Sequence, residues 1–502
     1  MAAVEAPSVR APGDDAAPSA SGPPPKRRPR VVEAATFLVY LAVLGAGIAH
    51  HEPWADEVQS WLLAKGLSPV GLLGHQLRFE GSPGLWQLLL LPFAHAHLPL
   101  LTLSVVGAVV TASGVALLVF WSPLPLVLRL LLPFTYYLLY QYAVLARSYN
   151  LMVPLLCALA MTYRRRLDRP LRYTVLLCLL SGVTVQTMVV AGSLFVVLLV
   201  QGWRAADGPA AFVRRFGSSA ALFFVVELGL VAVLWPSPDN SYGVSSSLVP
   251  SLPTFVRHFL SLAGHAYVGS VWLDCLVLAA LAWWAWRRRV LAAVAVPTAA
   301  ALAFSATGLH TLWFDGITTL LLVFGLWVGF DAPEDERRAR TVPAPWANIA
   351  LISLVALTAV VQMGWSGLAL DWDATNAYGP GAAAAAFLSR HGLDRYPVAT
   401  TGDYWSIDLE PYLRSGRFSN LGSGGAYFAW SRRSTVDTAP ILDRRVPLVV
   451  ASVWGAGPGM AAAPPAPPGY RTVAEFPGRI FWQTEVDEHE DLVVYLRDDL
   501  PA

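Results

Sequence analysis

Two adjacent carboxylates, Asp56 and Glu57, follow the first long apolar stretch of this 502-residue chain, inside His51-Glu52-Pro53-Trp54-Ala55-Asp56-Glu57. A positioned carboxylate can take a proton from a hydroxyl group. One set just outside the hydrocarbon can do so while a lipid-linked partner reaches the same place from the bilayer. Trp54, Val58, Trp61 and Leu62 recur at i, i+4, i+7 and i+8, which predicts a helix opening near Pro53 with its apolar face on lipid or on neighbouring helices. Asp56 and Glu57 then fall in its first turn, where the positive end of the helix dipole stabilises ionised carboxylates. The plainer reading of the pair, as capping carboxylates at a helix start, stays open. Ser68-Pro69 starts a second segment, with Leu73 and Leu77 beneath and His75, Gln76 and Arg78 more polar, and both helices are expected to lie flat at the membrane interface.

The elements that position these residues follow from composition. Apolar residues make up 55% of the chain and charged residues 14%, against about 25% charged in a soluble domain, and mean hydropathy is +0.50. This predicts a polytopic membrane protein, mainly α. The formal net charge of +1 argues against a nucleic-acid binder, which needs a basic stripe. Cys157, Cys178 and Cys275 all lie in apolar runs, so no disulfide framework is proposed and they read as core fillers. Residues 1–31 are rich in Ala, Pro, Ser and Gly and finish in Lys26-Arg27-Arg28-Pro29-Arg30, which predicts a disordered cytoplasmic tail. Basic residues before the first apolar run and acidic residues after it place the N-terminus inside and Asp56-Glu57 outside.

Residues 32–370 read as a transmembrane domain. Arginine clusters at Arg164–Arg166, Arg204 with Arg214-Arg215, Arg287–Arg289 and Arg337-Arg338 with Arg340 all fall inside if the apolar stretch 173–203 holds two passes. The turn at Ala146-Arg147-Ser148-Tyr149, the loop 236–262, the turn at His310 and everything after Asp371 then face outward. Three apolar blocks, 84–98, 101–121 and 124–143, separate two outward segments, and parity demands an even number of crossings. The third block, interrupted by Pro125, Arg129 and Pro133, is therefore expected to be re-entrant or split. The chain is predicted to make about 11 or 13 spans. Residues 371–502 lose the long apolar runs and read as a small extracytoplasmic α/β cap. It should hold a helix over Gly381–His391 stopped at Gly392, strands at 396–401, 446–452 and 492–496, and a Pro/Ala-rich linker at 461–468.

The outward acid pair after the first span, the Gly81-Ser82-Pro83-Gly84-Leu85-Trp86 entry to the second and the outward Ala146-Arg147-Ser148-Tyr149 turn resemble the GT-C superfamily of integral membrane glycosyltransferases, across residues 33–370. The nearest look-alikes are bacterial relatives of protein O-mannosyltransferases and of lipid A aminoarabinose transferases. The resemblance implies a polyprenyl-phosphate-sugar donor, a hydroxyl acceptor in the cell envelope, membrane lipid as the surroundings and no nucleic acid. It implies Asp56 as general base with Glu57 orienting it or binding sugar. Arg147 becomes the phosphate anchor, with His310 and Arg78 as weaker candidates, because guanidinium pairs with phosphate oxygens. Tyr149, Tyr404 and Trp405 are candidates for contacts with sugar or acceptor; plain packing is the competing reading for the last two. Relatives show a His-Pro-Pro type sequence where this chain has Gly81-Ser82-Pro83, and an acidic residue where it has Tyr149-Asn150. No residue is assigned as a metal ligand, and a divalent metal ion is left open as a cofactor. A transporter or flippase of lipid-linked sugars is the alternative class, and a membrane-anchored scaffold a third.

Overall fold

The computed structural model describes residues 30–240, 251–307, 312–331, 345–402, 404–421, 430–431, 436–457 and 463–501. The tail expected over 1–31 lies almost wholly outside the described residues, as do His310 and the arginines at 337, 338 and 340. The fold is mainly helical, with a small sheet near the C-terminus. Among the described residues, six helices are long and apolar enough to cross a membrane: Val31–His50, Leu101–Trp121, Val185–Ala205, Pro209–Leu234, Leu312–Phe330 and Trp346–Thr375. Shorter apolar helices, Leu85–His95, Pro170–Ser181 and Leu291–Ser305, pack among them. The stretch expected to hold two passes does hold two helices. They are divided at Thr184, whose hydroxyl accepts from the Thr187 N–H while the Thr187 hydroxyl accepts from the Thr184 N–H. One amphipathic helix, Leu252–Gly264, lies where a loop is expected.

The block from Leu126 to Leu151 is broken, as its prolines and arginine predict. A helix over Leu126–Leu131 gives way to a 3₁₀ turn at Leu132–Phe134, a π-helical turn at Tyr136–Gln141 and a second 3₁₀ turn at Ser148–Leu151. Such a break strands carbonyls in an apolar core, where each needs a partner. Neighbouring side chains supply them. Ser366 donates to the Phe134 carbonyl (2.8 Å), Tyr40 to that of Leu138 (2.9 Å) and Asn150 to that of Tyr142 (3.1 Å), while Thr111 also donates to Tyr142. Tyr136, Tyr137, Tyr140 and Tyr142 are all buried around this turn.

The C-terminal sheet runs in the order β1 (Val398–Thr400), β2 (Leu448–Ala456), β5 (Glu485–Arg497), β3 (Tyr470–Phe476), with β4 (Arg479–Trp482) also paired to β5. β1 and β2 are parallel and the other pairs antiparallel. Alternate residues serve two cores. Val450, Leu492 and Val494 pack with Ala384, Leu388 and Leu409, whereas Val449, Ala451, Val493 and Tyr495 pack with Ile441 and Tyr470. β3, β4 and the acidic half of β5 do not stand out in the sequence, because charged residues are depleted in ordinary strands. The helix Gly381–Arg390 ends, as expected, on Gly392 at φ +62°. The last membrane-length helix continues to Thr375, past the expected domain boundary at 370. There the Trp372 indole donates to the Arg479 carbonyl (3.2 Å) and stacks on Phe481, which ties the sheet to the helices.

Of the two surroundings that the pattern allowed for the apolar face of the first helix, the structure shows protein. Ala55–Gly66 is a helix that is buried from Glu57 to Ala64, while Asp56 keeps part of its surface and Lys65 and Gly66 are exposed. Trp61 packs with Trp86, Leu90 and Leu103, and Val58 and Leu62 pack with Tyr404 and Ile407 of the C-terminal part. Neighbouring helices cover this face on one side and the C-terminal part on the other. The second segment, from Ser68 to Glu80, is helical with a π turn, and the Ser68 hydroxyl accepts from the Gly71 N–H (3.1 Å).

Candidate functional site

The two turns named by the sequence, the start of the Ala55–Gly66 helix and the Ala146-Arg147 turn, meet. Glu57 makes the junction. Its Oε1 accepts from the Ala146 N–H (2.5 Å), and its Oε2 faces His51 Nε2 (2.9 Å) and the Trp54 N–H (3.4 Å). The other ring nitrogen of His51, Nδ1, lies 3.0 Å from Asp373 Oδ2 on the last long helix. All three side chains are buried. Burial alone would lower the His51 pKa, but the two flanking carboxylates outweigh it and raise it to about 10, so the ring is a cation donating from both nitrogens. Glu57 is thus engaged by the Ala146 and Trp54 N–H groups and the His51 ring, and it joins the turns that carry Asp56 and Arg147 without contacting Asp56 itself.

Arg147 then reaches Asp56. Its guanidinium is in salt-bridge contact with Asp56 Oδ2, and both side chains keep about a fifth of their surface exposed, at 23% and 21%. The guanidinium also lies over the rings of Trp54 (5.6 Å) and Tyr149 (5.8 Å). The turn is locked by Asn150, whose Oδ1 accepts from the Arg147 N–H (2.7 Å). Tyr404 donates to Asp56 Oδ1 (3.0 Å). Burial, reinforced by Asp56, pushes that phenol well above its usual range and keeps it a donor. Trp405 sits beside Tyr404 and parallel to Trp54, with centroids 6.2 Å apart.

Two more carboxyls share the field of this pair. Glu80 is held by Gln59 (3.1 Å) and Gln76 (2.9 Å), and burial, with Asp56 nearby, pushes its pKa up to about 7. Glu488 on β5, bonded by the Trp454 indole (3.0 Å), is raised to about 7 chiefly by burial, with Asp56 adding and Arg147 opposing.

Of the residues expected from sequence, Asp56, Glu57, Arg147, Tyr149, Tyr404 and Trp405 are brought together. Arg78 donates to the Gly74 carbonyl within its own segment (3.3 Å), and His310 is outside the described residues. Sequence reasoning missed the His51–Asp373 link, Asn150, Glu80, Trp454 and Glu488. His51 stood in the acid motif itself and Asn150 followed the Arg turn, but the others had no local signal. Among the described residues, no three His, Cys, Asp or Glu side chains are grouped to hold a metal ion.

No protein-family model matches the chain, and comparison with curated proteins and with solved structures returned no match. The resemblance to membrane glycosyltransferases therefore rests on the residues quoted for it.

Proposed function

We propose that this protein is a membrane glycosyltransferase of GT-C type, moving a sugar from a polyprenyl-phosphate donor to a hydroxyl acceptor on the outer side of the cell membrane. The observation that carries this reading is the partly exposed Asp56–Arg147 pair, set by buried contacts at the seam between the helices and the C-terminal part. A carboxylate that accepts a proton and a guanidinium that receives phosphate are the two groups such a transfer requires. The acceptor O–H gives its proton to Asp56 as its oxygen bonds to the anomeric carbon; the bond from that carbon to the phosphate oxygen breaks, and the phosphate leaves with the electron pair.

Arg147 binds the phosphate and stabilises the charge growing on it. A donor phosphate competes with Asp56 for the same guanidinium, so donor binding and release of Asp56 for proton transfer are coupled. Tyr404 holds the carboxylate in place, and Glu57 with His51 and Asp373 fixes the turn that carries Arg147. In this reading the N-terminus is cytoplasmic and the C-terminal part extracytoplasmic.

The test is transfer from a panel of polyprenyl-phosphate sugars by the wild type and by Asp56→Asn, with folding checked. A loss of roughly 10²-fold or more in the variant is expected. Equal rates would remove Asp56 as base, and no transfer by either protein would favour a transporter of lipid-linked sugars.

A further inference from the structure

A row of indoles leads outward from the acid–arginine pair. Trp54 is buried under the Arg147 guanidinium. Trp405 lies parallel to it at an interplanar angle of 10°, and Trp454 lies parallel to Trp405, again at 10°, with centroids 5.5 Å apart. Exposure rises along the row, from 1% at Trp54 through the half-buried Trp405 to 44% at Trp454. Three distant parts of the chain supply these rings: the start of the Ala55–Gly66 helix, the Tyr404–Tyr412 turn and the end of β2. Trp454 is held in orientation by its bond to Glu488, two positions along β5 from its cross-strand partner Glu490. The outermost ring is therefore an exposed flat face fixed by a carboxyl at its edge, continuous with the residues around Asp56.

We propose that this row is the acceptor track of the enzyme and that the acceptor it takes is a neutral oligosaccharide, with Trp454 as the outer subsite. The inference rests on the glycosyltransferase reading above and adds the substrate class. A pyranose presents a flat face of C–H groups that covers an indole, and hydroxyls around its edge that need acceptors. Here Trp454, backed by the parallel Trp405, supplies the flat face, and Glu488 and Asp56 supply the acceptors. Glu488, at the edge of Trp454, is a carboxyl and offers a polyanionic acceptor no cationic partner. A lipid tail would gain the indoles but would strip water from the carboxyls without replacing it.

The test uses the full chain in phosphatidylcholine nanodiscs with cellotriose, maltotriose and mannotriose as probes, read by saturation-transfer NMR. A neutral Gly/Ser/Thr hexapeptide serves as competitor. At least one trisaccharide should bind saturably, Trp454→Ala should weaken it about tenfold, the magnitude of one lost stacking contact, and Trp454→Phe should recover most of it. Unchanged melting of the exposed-site variants separates lost binding from lost folding, and Trp454→Phe carries the test if the alanine variant melts early. Absence of binding by all three sugars, equal binding by Trp454→Ala, or displacement by the peptide would overturn the proposal. Because binding needs neither donor nor turnover, a protein that binds saccharide yet transfers nothing retires the transferase reading alone. Transfer to a non-saccharide hydroxyl without saccharide binding retires the track alone.

Discussion

Arg147 is shared between one carboxylate and two ring faces, so a substitution there separates charge from shape. Arg147→Lys keeps the charge but loses the planar fork that pairs with phosphate. Steady-state kinetics of the variant should show donor KM rising about tenfold with a further loss in kcat, whereas acceptor KM should change little. His51 poses the opposite problem, because it is a buried cation between two buried carboxylates. His51→Ala leaves Glu57 and Asp373 without their common partner, a loss of about 3–5 kcal/mol by the measure of broken buried pairs. Thermal unfolding should register it as a large drop in Tm, and a variant melting like the wild type would show that the link does not hold the turn.

At the scale of elements, the site depends on how closely the helices approach. The Leu101–Trp121 and Met152–Thr162 helices touch at Gly114, where a Cβ would stand 2.5 Å from the Pro154 nitrogen. That neighbour is backbone and cannot rotate away, so Gly114→Ala should cost about 1–3 kcal/mol. Since Met152–Thr162 follows directly on the Arg147 turn, transfer should fall in the same variant, checked by activity beside Tm. The entry to the Leu85–His95 helix is similarly constrained, because Gly84 has φ +94° and a Cβ there would lie 2.3 Å from Leu77 Cδ1. The Gly81-Ser82-Pro83-Gly84 stretch, read as a break before the helix, is thus also a place where backbone presses on a buried leucine. The break over 126–151 shows the same dependence: proline and arginine announce it, but Ser366, Tyr40 and Asn150 make it tolerable.

Across the whole molecule, the seam between helices and sheet is lined with carboxyls that burial holds above their ordinary range. Glu80 and Glu488 are raised to about 7 and Glu410 to about 8. Each binds its proton more tightly folded than unfolded, so from about pH 4.5 up to 7 or 8 the folded state carries more protons and stability falls as pH rises. His51 works in the same sense. Raised from 6.5 to about 10, it contributes fully below its unfolded value, and the contribution is lost as pH rises toward 10. Tm in nanodiscs should therefore fall from about pH 5.5 to about pH 8.5, and Glu410→Gln should flatten that slope. A Tm rising over this range would refute the assignment of these groups as protonated in the fold. The proposed orientation is tested separately. A cysteine at Ser415 should react with an impermeant maleimide on intact cells, and one at Arg165 only after permeabilisation.

Hydropathy and residue type by themselves determined that this is a helical, membrane-type chain with a small α/β part at its C-terminus, where Gly392 stops a helix and where the 124–143 block breaks. Those features are local: an apolar run of membrane length, a proline or a glycine acts through its immediate neighbours. Adjacency also made Asp56 and Glu57 conspicuous, and its outward turn made Arg147 so. Only the tertiary structure decided that Glu57 is a buried clamp and Asp56 the reachable carboxylate, because their exposure depends on Ala146, His51 and Asp373, the last of these 322 residues from His51. It likewise decided that protein covers the apolar face of the Ala55–Gly66 helix, and it aligned Trp54, Trp405 and Trp454. A buried surface is created by whatever packs against it, and no periodicity in one segment records what a distant segment will bring.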